Sequence, residues 1–411
     1  MPKIKAFQGI RPNPEYVDQV VLPLENLSID QAKEIRQDNP ISYVNMLVPK
    51  LENRFMLGSK KELAFKQINE NFEDFLDKGI YLCDEKPSLY VYRIAHKGMV
   101  QTGIWTVTSI DDYLNNTVKK HELTRHDREI GLIDYLQQTG IDANPVLITY
   151  QADPTINAII ADAAAKPHDL HFTLLEQEHW LWKISDAEKV DSLIRCFGEL
   201  PASYIADGHH RAAAACTAGI ERRKRNLKHR GDEEYNFFNS VYMASDQLKI
   251  YEFHRLIKDL GSYSEADFLT AIGRHFDCLP ASGKVVPTEC HQFGMYINGH
   301  WYLLKARPET FRAENPAEVL DVSILQNFIL SPILHIHDAR TDSRICFSGG
   351  VIPVEQLEEQ VDNGEFIVAF TLYPTSIKEL IQVADAGEVM PPKSTWFEPK
   401  FLAGLVIHLI T

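Results

Sequence analysis

The period of apolar and polar positions changes repeatedly along the chain, and each change marks an element. Ser28-Ile-Asp-Gln-Ala-Lys-Glu-Ile places a hydroxyl three residues ahead of an amide, a capped helix start, and Lys60 to Leu76 carries apolar residues at helical spacing. Two runs rich in aromatic and branched residues, Ser88 to Ile94 and Gly103 to Ile110, predict an antiparallel hairpin across Lys97-Gly98. The alanine-rich stretch from Ala152 to Pro167 predicts a helix leading to strands Leu170-His-Phe-Thr-Leu-Leu and Glu178-His-Trp-Leu-Trp-Lys-Ile. Asn298-Gly299 between Phe293-Gly-Met-Tyr-Ile and His300-Trp-Tyr-Leu-Leu-Lys predicts a hairpin with a type I′ turn. The His-Trp shared by these two strand pairs is one weak echo, too little for a repeat architecture. Phe237 to Ala244 reads as a buried strand, and the capped start at Ser264-Glu-Ala-Asp-Phe-Leu places a domain boundary near residue 260.

The densest polar cluster interrupts this pattern at Tyr204-Ile-Ala-Asp-Gly-His-His-Arg-Ala-Ala-Ala-Ala215. Tyr204 and Ile205 read as a short strand, Asp207-Gly208 as a turn, and Arg211 onward as strong helix former, so the cluster sits where backbone amides lack helical acceptors. Those amides and the positive end of the helix dipole favour a phosphate, which Arg211 can grip bidentately while His209 and His210 add donors. The same residues also suit a plain N-cap, a turn and a solvated first turn. Adjacent histidines point about 100° apart on a helix, and no His-x-x-x-His or Cys-x-x-Cys spacing accompanies them, so a metal held by both is not expected.

Other segments carry weaker chemistry. Lys119-Lys120-His121-Glu122-Leu-Thr124-Arg125, with Arg128 beyond, gathers cations, an imidazole and a carboxylate. In Met390-Pro-Pro-Lys393-Ser394-Thr395-Trp-Phe-Glu-Pro-Lys400 the prolines stiffen a loop whose amides and hydroxyls suit an anion, and Lys393, Ser394 and Thr395 are expected to face the cavity of His209 and His210. His335 and His337 would share one face of a strand, although Asp338 to Arg344 contains turn residues and histidines in such places are more often structural. His254-Arg255 is a further candidate pair. The basic run Glu221-Arg-Arg-Lys-Arg-Asn-Leu-Lys-His-Arg reads as a solvated helix end whose cations complement the C-terminal dipole.

The 411 residues suffice for two domains, and 45% hydrophobic with 24% charged residues is ordinary for a folded protein. A net charge of −15 argues against nucleic acid as a partner, since phosphate backbones reward excess Lys and Arg. Six cysteines scattered without paired spacing suggest reduced thiols. The N-terminus has no apolar core of a signal peptide, and no run approaches the ~18 to 20 apolar residues of a membrane span, so a cytoplasmic protein without membrane attachment is expected.

Asp207-Gly-His-His-Arg211 followed by a small-residue helix resembles the large bacterial and archaeal family of unknown function with this core, related to the ParB/sulfiredoxin-like fold and to the free serine kinases. The likeness extends to GIRPNPE near the start, Asn39-Pro40, Ser109 to Thr124, LDVSILQ from Leu320 and the segment from Met390, hence to nearly the whole chain. It departs where many members show Pro-Tyr-Asp and this chain has Leu22-Pro23-Leu24-Glu25-Asn26, with Glu25 as the N-terminal carboxylate. The resemblance implies an α+β fold with a ParB/sulfiredoxin-like phosphate-binding core and N-terminal elaborations over residues 1–260, and a C-terminal α/β portion over 261–411 that completes the site. It implies phosphoryl transfer on a small hydroxyl amino acid or its phosphate, serine or O-phosphoserine, in the kinase or phosphatase direction, or else nucleotide binding by a regulator without turnover. Asp207, His209, His210, Glu25 and Glu122 are then the catalytic candidates, and Gly208, Arg211, His121, Arg128, Lys393, Ser394 and Thr395 the phosphate-binding ones. Mg²⁺ would bridge phosphoryl oxygens, with ADP, ATP or pyrophosphate as donor. A small-molecule phosphate is the expected partner, and a homo-oligomer is compatible.

Overall fold

The helix and strand starts follow local chemistry. In the computed structural model, which describes residues 2–25, 27–48, 58–398 and 400–411, Ser28 caps the helix Ile29–Asp38 in a capping box with Gln31. The helix Gly58–Asp77 turns Phe65, Ile68, Phe72 and Phe75 inward, the row its spacing predicts. Lys97 and Gly98 take positive φ values of 48° and 79° to join Leu89–His96 to Met99–Ser109, and Asn298 and Gly299 do the same at 48° and 75°. Asn26 and Pro399, which belong to two of the predicted site segments, lie outside the described residues.

The chain is α+β and divides into two compact units, Met1–Lys119 with Leu123–Leu248 and Pro399–Thr411, and Lys120–Glu122 with Lys249–Glu398. The division falls at Leu248, ahead of the pattern change near residue 260, because Lys249–Tyr251 and Phe253–Ile257 pair with strands of the second unit. The last residues return to the first unit, which no local pattern announces.

The first unit is built on a mixed sheet in the order Leu170–Leu174, Gln177–Ile184, Leu89–His96, Met99–Ser109, Phe237–Ala244, Val146–Tyr150, Ser203–Asp207 and Val118–Lys119, with Ile4–Lys5 beside Met99–Ser109. Phe237–Ala244 runs parallel to Val146–Tyr150, and Ser203–Asp207 runs antiparallel to Val146–Tyr150. Phe237–Ala244 is buried at every position, so apolar residues occupy both of its faces, and its two polar residues are hydrogen-bonded, Asn239 Nδ2 to the Asp142 and Val406 carbonyls and Ser240 Oγ to the Thr106 carbonyl. The helix His209–Arg225 buries Ala212, Ala215, Cys216 and Ala218 in the core formed with Ile148, Ile205, Phe238 and Tyr242. Its small side chains let the helix backbone approach closely.

Short ladders made by the returning C-terminus position the site. Leu402–Ala403 pairs with Leu22–Pro23, and His408–Leu409 pairs with Ile141–Asp142. Leu405, Val406 and Ile407 are fully buried between them. The second unit has an antiparallel sheet in the order Phe276–Ala281, His300–Ala306, Gln292–Ile297, Val368–Leu372, Phe253–Ile257 and Ile345–Gly349. His335 and His337 lie outside any strand, His335 at φ 55°, in keeping with the turn residues that follow them, and they share no strand face. His337 instead pairs with the Ser331 hydroxyl at 2.9 Å.

A Cβ added at Gly219 would overlap the Tyr235 carbonyl and the Ile110 side chain. Gly219→Ala is therefore expected to destabilise the protein by about 1–3 kcal/mol in urea denaturation, despite the higher helix propensity of alanine.

Candidate functional site

The strand Ser203–Asp207 delivers a carboxylate to the start of the helix His209–Arg225, and Gly208 makes the turn between them. Gly208 sits at φ 100°, where a side chain is strained, and an added Cβ would stand 2.9 Å from the Arg211 guanidinium. Arg211 thus folds back over the glycine. Its Nη1 donates to Asn144 Oδ1 at 2.8 Å and to the Pro145 carbonyl, and its Nη2 pairs with Asp207. Gly208 has no side chain to cap the first helical amides, which lie at the turn together with the positive end of the dipole.

Lys400 completes this cluster. Its ammonium lies 3.1 Å from Glu25 Oε2 and 3.6 Å from Asp207 Oδ1, so one cation links both candidate carboxylates. Burial alone would raise the Asp207 pKa, but Lys400, Arg211 and His209 outweigh it and hold the carboxyl at about 2. Because that pKa is depressed, the ionised form stabilises the folded state at neutral pH, and this is lost as pH falls below the ordinary carboxylate value and through about 2. A group that weakly basic does not suit general-base work near neutrality.

His209 is buried, and His210 Nδ1 accepts from the Arg125 amide at 3.4 Å. Burial, and then the Arg128 cation, lower the His210 pKa, so the ring is neutral at pH 7. Arg128 lies in the helix His126–Thr139, which packs against His209–Arg225. The first unit thus gathers Glu25, Asp207, Gly208, His209, His210 and Arg211, with Arg128 near His210, from separate parts of the sequence.

The remaining candidates belong to the second unit. The His121 carbonyl accepts from the Met390 amide at 2.8 Å, which ties the segment of His121 and Glu122 to the loop before Lys393. Ser394 donates to the Pro391 carbonyl at 2.6 Å, and the Ser394 carbonyl accepts from Thr375 Oγ1 at 3.3 Å, so this hydroxyl serves the turn itself. Lys393 is exposed, holds φ 58° and sets its ammonium 5.1 Å from the centre of the Phe253 ring. Arg255 is buried and holds the loop through the Lys393 carbonyl at 3.0 Å, with its pKa lowered by burial to about 9. Burial and then Arg255 lower the neighbouring His254 to about 4. Thr395, half-buried, leads directly into the strand Trp396–Glu398.

A cavity of about 460 Å³ opens beside Arg211 in the first unit, with Asp142 and Asn144 in its wall. Lys400, Asp142 and Asn144 were not singled out in the sequence. The only signal for Asn144 was the turn pair Asn-Pro, and a lone lysine near the chain end gave none.

Residues 4–323 match the family described as protein of unknown function (DUF1015). The chain belongs to that family. No curated protein matches it. Among solved structures, a free serine kinase in complex with AMP is 14% identical, with 74% of this chain and 89% of that chain covered and a TM-score of 0.35. A truncated SbnI from Staphylococcus aureus is 11% identical over 73% of this chain and 85% of that one, with a TM-score of 0.38. A conserved hypothetical protein from Pyrococcus furiosus is 13% identical over 74% and 93%, with a TM-score of 0.34.

Removing Lys400 takes away the cation that does most to hold Asp207 ionised. In Lys400→Ala the Asp207 carboxyl is expected to titrate upward toward the ordinary range, read by its carboxyl ¹³C shift against pH. An unchanged titration would show that Arg211 and His209 set the value without Lys400.

Proposed function

We propose that this protein is a phosphoryl-transfer enzyme acting on a small hydroxyl amino acid or its phosphate, serine or O-phosphoserine. The observation that carries the reading is the single Lys400 shared by Glu25 and Asp207 at the start of the helix that bears Arg211. Phosphoryl transfer is largely positioning plus charge stabilisation, and this cluster offers both. Arg211 and the first helical amides hold phosphoryl oxygens, and His209 and His210 line the same turn. Asp207, ionised at any working pH, keeps Arg211 and Lys400 in place. Glu25, at the other side of Lys400, receives the hydroxyl proton or activates water.

Mg²⁺, when bound, would neutralise charge on the transferring group. Glu25 and Asp207 already share Lys400, so the ion would be held chiefly by phosphoryl oxygens, with Glu25 the nearest carboxylate not also paired to Arg211. Among the described residues no group of three or more His, Cys, Asp or Glu side chains is placed to hold a metal ion. ADP, ATP or pyrophosphate would serve as the phosphoryl partner. The alternative, a nucleotide-binding regulator without turnover, is favoured by one observation: three of the five Arg211 donors are already taken by protein acceptors.

Arg211→Ala is expected to weaken phosphate-ligand binding by about 1.5–3 kcal/mol in calorimetry, the scale of a charge-assisted hydrogen bond. Glu25→Gln is expected to keep that binding and lose most phosphate exchange between O-phosphoserine and nucleotide, or between serine and nucleotide or pyrophosphate, assayed with Mg²⁺. Binding without exchange or release in the parent protein would favour the regulator.

A further inference from the structure

The cavity beside Arg211 is shaped for more than a phosphate. Leu24, Leu27, Leu47, Leu132, Leu136 and Ile141 form its walls, and its volume of about 460 Å³ lies in the range of small-molecule sites. Polar groups gather on one segment and its neighbour: Asp142 and Asn144, two residues apart, with Arg211 against Asn144. Tyr43 and Tyr135 also line it, but their hydroxyls meet each other at 3.3 Å, and Tyr135 donates to the Met46 carbonyl at 2.9 Å. The walls are therefore poor in partners for the polar edge of a nucleobase. They suit an aliphatic or aryl group.

At the polar end the two signs of charge stand side by side. Asp142 Oδ2 accepts from the Asn239 amide at 2.8 Å, and its other oxygen has no hydrogen-bond partner among the described residues. Two Arg211 donors likewise have no partner among the described residues. We propose that this cavity binds a free α-amino acid with a large apolar side chain, its ammonium on Asp142, its carboxylate on Arg211 and Asn144, and its side chain along the leucines. Serine, with one hydroxymethyl group, would leave most of that apolar wall against water. The site shares Arg211 with the phosphoryl reading but needs no phosphate.

The electrostatics agree with the geometry. Burial raises the Asp142 pKa to about 6, against the Asn239 amide, the His408 imidazole and the Arg211 cation, which lower it. The other titratable groups facing it, Tyr43 and Tyr135, are held neutral by burial. An ammonium binds the ionised carboxylate, so affinity should rise as pH rises through about 6 and fall as pH drops below it.

The test is calorimetry on the full chain without phosphate or nucleotide, using L-phenylalanine and L-leucine against L-serine, phenethylamine, 3-phenylpropionate and AMP. L-phenylalanine or L-leucine is expected to bind at least about tenfold more tightly than L-serine, and more tightly than either single-charge analogue. Asp142→Asn should weaken binding about tenfold and abolish its pH dependence between 5 and 7.5. Leu132, 37% exposed at the rim, provides a second variant that spares the core, and Leu132→Trp should block binding with unchanged circular dichroism. Binding of phenethylamine or 3-phenylpropionate equal to that of L-phenylalanine would overturn the proposal. So would tighter binding of AMP, or no binding of either apolar amino acid to the folded parent. Loss of phosphate exchange with amino-acid binding intact would count only against the phosphoryl reading.

Discussion

Two cations and two carboxylates meet at the start of one helix, and the first unit is arranged to hold them there. Bringing Asp207, Arg211, Lys400 and Glu25 together removes each from part of its water, which costs free energy unless opposite charges compensate. The compensation is visible in Asp207, whose carboxyl is held at about 2 although burial pushes the other way. Gly208 is the geometric condition for this, because only a residue without Cβ lets the Arg211 guanidinium lie back over the turn. The cluster is thus preorganised before any ligand arrives.

The same charge balance separates two carboxylates that sequence alone would treat alike. Asp207, among cations, is a permanent anion, while Asp142, half-buried and bonded to the Asn239 amide, titrates at about 6. Arg211 adjoins both, through its pair with Asp207 and its place in the cavity wall with Asp142. A site that holds one carboxylate charged and leaves another near neutrality can distinguish binding from proton exchange. That division of roles comes from surroundings and not from residue type.

The returning C-terminal segment carries more of this arrangement than its length suggests. Its ladders with Leu22–Pro23 and Ile141–Asp142 lie next to Glu25 and at Asp142 itself, and Lys400 sits at its start. Three stretches that are distant in sequence are fixed against one another by a few backbone hydrogen bonds and a buried Leu405-Val406-Ile407 run. In the second unit a comparable economy holds the Lys393 loop, where the buried Arg255 guanidinium is spent on backbone carbonyls rather than on a carboxylate.

Local chemistry determined the elements. Hydroxyl caps at Ser28 and Ser264, the positive-φ pairs Lys97-Gly98 and Asn298-Gly299, and the strand, glycine and helix around Asp207 to Arg211 were all legible, because each is decided by residues within a turn or two. The helix Gly58–Asp77 and the buried strand Phe237–Ala244 were legible from period and apolar content. Tertiary structure alone decided that Lys400 joins Glu25 to Asp207, that Asp142 becomes a half-buried acid beside an apolar cavity, that His335 and His337 share no strand face, and that the C-terminus returns to the first unit. The reason is physical: a pKa, an ion pair or a cavity depends on which distant groups exclude water from a point in space. No periodicity along the chain encodes that distance.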